Sequence, residues 1–396
     1  MKPLADLATS IPRSGIREVM ELASSMDDVI HLEVGEPDFA TPEEIVEAAG
    51  EAARAGYTRY TPNAGFMSLR RAVAERLVAA GRSDVTYEHI VITPGAVCAL
   101  ATAVFATVNQ GDEVLIPDPG WPNYRSMVML CGAEPVPYEL DRATGYMPRD
   151  GSLAAVASPR SKLLMTNSPA NPTGAVFSHE TARQLYEFAS ARDLYVVSDE
   201  VYESFVFDGR HESLAQFDTD GRVIVVSGFS KSFAMTGWRL GYAIAAPPIA
   251  VIMAKLMEPL VSCASSIAQK AGEAALRLPD ERVGEMRRSY ARRAVLVNDI
   301  LGSVGLLMAV PRGAFYALVD VSAAGSNSNE IARDLLRTER VATAPGATFG
   351  AQAEATVRIS LAAEESVLVE GCRRIRRYLE DVSKERASLP SGPPSS

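Results

Sequence analysis

Histidine and cysteine are both scarce, with four of each in 396 residues. The histidines form no HExxH-type spacing, which argues against a metal site. Cys98, Cys131, Cys263 and Cys372 form no CxxC or Cys/His ligand pattern and read as buried, reduced thiols. No run approaches the roughly 18 apolar residues a membrane-spanning helix needs. MKPLADLATSIP, at the start, has no apolar core followed by a small-residue cleavage site. The expectation is a cytoplasmic protein with no membrane partner. Basic residues are outnumbered, 39 Lys and Arg against 49 Asp and Glu, for a formal net charge of −10. A nucleic-acid surface is therefore not expected, and a small substrate is.

What the chain does have is apolar sequence, 47% of residues, enough for two or three domain-sized units. Short apolar runs recur as HIVIT, EVLIP, AEPVPYEL, KLLMTN, DLYVVSD, RVIVVSG and GYAIAAP. Helical patterns such as PGAVCALATAVFATV and HETARQLYEFASAR separate several of them. This alternation predicts an α/β fold with a mostly parallel, helix-covered sheet, whose ligands bind beyond the carboxyl ends of the strands. From Pro247 the pattern is long helix, MAKLMEPLVSCASSIAQKAGEAAL, then DERVGEMRRSYARRAVLVNDIL. A strand AFYALVDV, a helix NEIARDLLRTER, a strand VRISLAA and a last helix ending near Glu385 follow. The expected division is an N-terminal arm joined to the small domain (1–44), a large domain (45–285), a small C-terminal domain (286–385) and a Pro/Ser/Gly-rich unstructured tail (386–396). Thr41 is expected to cap the helix that begins after Pro42.

The chemistry-bearing stretch is Ser227–Gly241, SGFSKSFAMTGWRLG, which follows the apolar run Val223–Val226. It presents Lys231 and, eight positions on, Arg239. A lysine forms a Schiff base with a carbonyl once its pKa is lowered, and a guanidinium matches a phosphate bidentately. An isolated loop lysine, however, is usually just solvated. The other candidates also have two readings each. Asp199 closes a strand and either partners a cationic ring nitrogen or caps a helix. Gly95 lies at a strand–Gly–helix junction with free backbone N–H groups, a generic anion site. GEPDF and NSPANPTG are rich in turn formers. Tyr60 reads as a surface tyrosine, and Trp121, between Gly120 and Pro122, as either core or a loop-borne ring. Arg358 lies between Val357 and Ile359, which point to the opposite face, so it either enters a cleft or pairs at the surface.

Taken in order, Gly35–Pro42, Tyr60–Arg71, Asn167–Gly174, Ser198–Tyr202, the SKSFAMTGWRLGY stretch and Val357–Ala362 resemble the class I aminotransferases of fold type I. These are pyridoxal 5'-phosphate (PLP) enzymes of the aspartate and aromatic aminotransferase kind, and the likeness covers nearly the whole chain. It implies a seven-stranded, mostly parallel sheet in the large domain and a smaller α+β domain. It makes Lys231 the cofactor lysine, which shuttles a proton once freed by the substrate amine. Asp199 becomes the partner of the ring nitrogen, Tyr202 and Asn171 the donors to the ring oxygen, and Trp121 the stacking ring. Gly95, Ala96, Val97, Ser230 and Arg239 become the phosphate cradle, with Ser227 the alternative hydroxyl because Gly228 stands where some relatives have serine. Arg358 is implied for the substrate α-carboxylate, with Gly35 and Asn171 beside it. Tyr60 is implied to cross a homodimer interface to the partner's phosphate. The substrates implied are an amino acid and a 2-oxo acid. Aspartate-using prokaryotic relatives carry a lysine where Val97 stands, so the expected donor is apolar or aromatic, with Arg13 and Arg17 as the other cations in reach. Carbon–sulfur lyases and decarboxylases share the fold and remain the alternative. A ligand-sensing regulator would need an added DNA-binding domain, for which the first thirty residues are too short.

Overall fold

Runs of Val, Ile and Leu too short for helices become strands buried on both faces. A computed structural model describes residues 1–82, 84–149 and 151–388. In chain order the strands are β1 (Ile30–His31), β2 (Ile90–Thr93), β3 (Glu113–Asp118), β4 (Glu134–Asp141), β5 (Met147–Pro148), β6 (Ser161–Asn167), β7 (Tyr195–Asp199), β8 (Val223–Gly228), β9 (Gly241–Ile244), β10 (Tyr316–Asp320), β11 (Val341–Ala342), β12 (Ala344–Pro345) and β13 (Thr356–Ser360). The large sheet has the order β2-β9-β8-β7-β6-β3-β4-β5. Its neighbours from β4 to β8 are parallel, while β9 runs antiparallel to β8 and β2. The expected seven strands are joined by an eighth, the two-residue β5, antiparallel to β4.

Side chains alternate across this sheet with the period of two that a strand imposes. Val197, Ile224 and Val226 face helices Ala96–Thr107, Asn123–Leu130 and Pro247–Val261, while Val196, Val223 and Val225 face the other apolar layer, which holds Leu185 and Leu69. The register sets Asn167 beside Asp199 and Asp199 beside Val226. The carboxyl ends of β6, β7 and β8 therefore finish on one edge, directly before the residues of interest.

A three-stranded antiparallel sheet, β10-β13-β12, carries the second layer, with Leu318 opposite Arg358. β1 pairs in parallel with β11, tying the N-terminal segment to the C-terminal one.

Four local expectations need correction. The long helix after Pro247 ends at Val261; Ser262 adopts φ +62° and Ser265 accepts from the Ala268 amide to cap a new helix, Ser266–Ala275. Thr41 does not cap its helix, because its hydroxyl donates to the Ala234 carbonyl (2.5 Å) and accepts from Trp238 Nε1 (3.1 Å). The last helix, Glu365–Ser388, runs past Glu385, and residues 389–396 of the expected tail lie outside the described residues. Of the four free cysteines only Cys372 is buried, the others being half-buried. Among the described residues no helix is long and apolar enough to cross a membrane.

Candidate active site

A cavity of about 420 Å³ opens over the carboxyl ends of β6, β7 and β8. The helix Gly15–Ala23 contributes Ile16, Arg17 and Met20 to its wall, and the small sheet contributes Tyr316 and Arg358. Of the residues singled out in the sequence, Gly35, Ala96, Val97, Trp121, Asn171, Asp199, Tyr202, Ser230, Lys231, Arg239 and Arg358 all line it. Two do not. Gly95 sits behind the wall against Arg239, and Tyr60 is 88% exposed, away from its own chain's cavity.

β8 ends in Gly228, and the single helical turn Phe229–Ser232 turns Lys231 into the cavity. Its Nζ donates to the Gly35 carbonyl at 2.5 Å. Burial lowers its pKa to about 8; Glu36 opposes that shift and the cations Arg358 and Arg239 add to it. With the pKa near 8, about a tenth of the amine is neutral at pH 7, which lets it act as a nucleophile and a proton carrier.

Asp199, at the end of β7, is 4% exposed. Its Oδ2 accepts from the Tyr124 hydroxyl at 2.6 Å and its Oδ1 from the Val201 amide at 3.3 Å. Burial nevertheless pushes its pKa up to about 6. The neighbouring Glu200 faces away, taking His211 Nε2 (2.7 Å), Ser213 (2.7 Å) and Ser198 (2.8 Å), which braces the strand end from behind.

The anion-holding corner joins two tight backbones. Gly95 has φ +78° and Arg239 φ +51°. A Cβ at Gly95 would lie 2.3 Å from Arg239 Nη2, so a larger residue would have to push the guanidinium aside as well as hold a positive φ. Beside it the helix Ala96–Thr107 offers first-turn N–H groups that have no intrahelical partner. Ser227 is turned the other way, donating to Glu203 Oε1 at 3.0 Å, while Ser230 lines the cavity.

Arg358 is 2% exposed. Its Nη1 donates to Asn171 Oδ1 at 3.0 Å, its Nη2 to the Glu33 carbonyl, and its buried Nε has no partner among the described residues. Its guanidinium stands 4.3 Å from the centre of the Tyr316 ring. A buried cation with an unused donor is a receptor for an anion.

Sequence reasoning missed Tyr124 and Tyr316. Tyr124 carried a usable signal, lying three residues from Trp121 at a helix start, where the two rings meet edge to face at 5.5 Å.

The arrangement defines an enzyme site of one class: a depressed-pKa lysine between a buried carboxyl, an anion-holding helix start and a carboxylate-receiving arginine. Residues 27–375 match the Aminotransferase class I and II family. The chain is 38% identical to an aspartate aminotransferase of Pyrococcus horikoshii, over 95% of this chain and 97% of that protein. It is 37% identical to aromatic-amino-acid aminotransferase 2 of Thermococcus litoralis, over 96% and 98%. The crystal structure of the Thermus thermophilus aspartate aminotransferase with maleate superposes with a TM-score of 0.90 at 35% identity, covering 95% of this chain and all of that one. The chain belongs to the class I and II aminotransferases, and its fold is fold type I.

Proposed function

We propose that the protein is a PLP-dependent homodimer of the cytoplasm that moves the amino group of an L-amino acid with an apolar or aromatic side chain to a 2-oxo acid. The observation that carries this reading is the single cavity lined by Lys231, Asp199 and Arg358 in a chain of this family.

The residues present fit the cofactor. Arg239 and the first amides of Ala96–Thr107 form a corner for its phosphate, with Ser230 the available hydroxyl. Asp199, raised to about 6 by burial, suits a protonated ring nitrogen. Tyr202 and Asn171 would donate to the ring oxygen, and Trp121 would stack on the ring. Bound there, PLP supplies a carbonyl that takes up the amine and a ring that draws electrons from the α-carbon. Lys231 holds the cofactor and carries the α-proton, while Arg358, with Asn171 and Gly35 beside it, fixes the substrate carboxylate. Tyr60 serves the partner's phosphate.

The donor preference rests on Val97, Leu100, Ile16 and Met20 in the cavity wall. A second carboxylate buried among them without a cation would cost on the order of a few kcal/mol. Arg17, at the rim, is the cation available to a dicarboxylic oxo acid; Arg13 lines the adjoining groove instead. Relatives bear both aspartate and aromatic names, so the test is a panel. Each amino acid is mixed with the holoenzyme, and loss of the cofactor's visible band is timed. Aromatic and aliphatic donors are expected to react fastest, and aspartate or glutamate leading would overturn the preference. With ¹⁵N-labelled donor, label is expected in the amino acid made from the oxo acid. Label released only as ammonia would favour a lyase.

A further inference from the structure

Tyr316 belongs to no sequence motif that pointed to the site, yet three functional groups meet on it. Its hydroxyl lies 2.8 Å from that of Tyr202, both residues being buried. The two rings cross at 87° with centroids 5.6 Å apart. Its ring face receives the Arg358 guanidinium at 4.3 Å. Gly35 packs against its hydroxyl so closely that a Cβ there would lie 2.2 Å away. Tyr316 sits on β10, two residues before Leu318, the residue opposite Arg358 across the small sheet. Tyr202 follows β7 of the large sheet.

We infer that Tyr316 is a positioning residue that couples the carboxylate anchor Arg358 to the hydroxyl of Tyr202. Each phenol has one proton to donate. If Tyr202 spends its proton on Tyr316, none is left for the cavity. With Tyr316 as donor, the Tyr202 proton is free to point at a ring oxygen there, and the chain of two hydrogen bonds strengthens the second. The cation on the Tyr316 ring favours this direction, because positive charge at the face makes the phenol a better donor. Arg358 thus acts on Tyr202 through a shared ring, in addition to its own field at that hydroxyl.

The inference rests on the PLP reading, and the test separates the two. Wild-type holoenzyme is first titrated for the pH midpoint of its visible band; no band would defeat the PLP reading itself. A stronger donor to the ring oxygen lowers that midpoint, so Tyr316→Phe is expected to raise it by about 0.5 pH unit or more, a threefold change in proton affinity. In a Tyr202→Phe background the same substitution should add nothing. Gly35→Ala, which displaces the Tyr316 hydroxyl by crowding, should reproduce the shift without deleting the phenol. An unchanged midpoint in Tyr316→Phe, or an equal shift with Tyr202 absent, overturns the coupling.

Discussion

Burial holds the Asp199 carboxyl near pH 6 although Tyr124 and the Val201 amide both donate to it. A carboxyl raised in the folded state binds more protons there than in the unfolded chain. Stability therefore falls as pH rises between the two values and stays lowered above them. A rise from 3.8 to about 6 corresponds to a penalty of about 3 kcal/mol. Cofactor-free Asp199→Asn should accordingly melt above the cofactor-free wild type at about pH 8, with the difference gone at about pH 3. The same variant should bind PLP more weakly, the usual exchange of stability for function. Equal melting at both pH values would mean that the carboxyl is not strained. Lys231 gives the complementary curve. Its amine is largely protonated below about pH 8, so the rate of PLP uptake by the apoprotein should climb with pH and level off above that value. A flat profile from pH 6 to 9 would contradict a depressed lysine.

Among the elements, the start of helix Ala96–Thr107 is the most exacting. Gly95→Ala puts a methyl into the space of Arg239 Nη2 and asks alanine to hold φ +78°. PLP affinity should fall by about tenfold or more while the affinity for unphosphorylated pyridoxal stays level, since only the phosphate corner is disturbed. Equilibrium titration of the apoprotein with both compounds decides it, and a parallel loss for pyridoxal would point to general collapse. The strands around this corner were legible in the sequence, because double-sided burial writes β6, β7 and β8 as unbroken apolar runs and their ends carry the chemistry. Tyr316 was not legible, since AFYALVD reads as an ordinary buried strand and nothing local says that one phenol faces a cavity. The hydroxyl ambiguity had the same root. Ser227 and Ser230 are equally plausible in one dimension, and only the position of Glu203 behind β8 decides which way Ser227 turns. The break at Ser262–Ser265 was hidden because serines pass unnoticed in a helical pattern until one of them finds an amide to cap.

At the scale of the whole molecule, Tyr60 is 88% exposed and does not line its own chain's cavity. If it completes a neighbour's site, Tyr60→Phe and Lys231→Ala subunits mixed under dissociating conditions should regain activity, because each heterodimer then holds one site with both residues intact. Failure to regain activity while heterodimers form by native mass spectrometry would disprove sharing. Long-range pairing has a further consequence. Ile30 pairs with Val341 and His31 with Ala342, and the Ser360 amide donates to the Leu32 carbonyl. A segment made early in synthesis thus waits on the ribosome until nearly the whole chain has emerged before its hydrogen bonds can close. That pairing joins the Thr41–Ala234 and Asp38–Arg293 contacts in fixing the backbone around Gly35, against which Lys231 leans. A nascent chain stalled before Val341 would hold the Gly35 segment through its Thr41 and Asp38 contacts but would lack the strand pairing that completes the surroundings of the lysine.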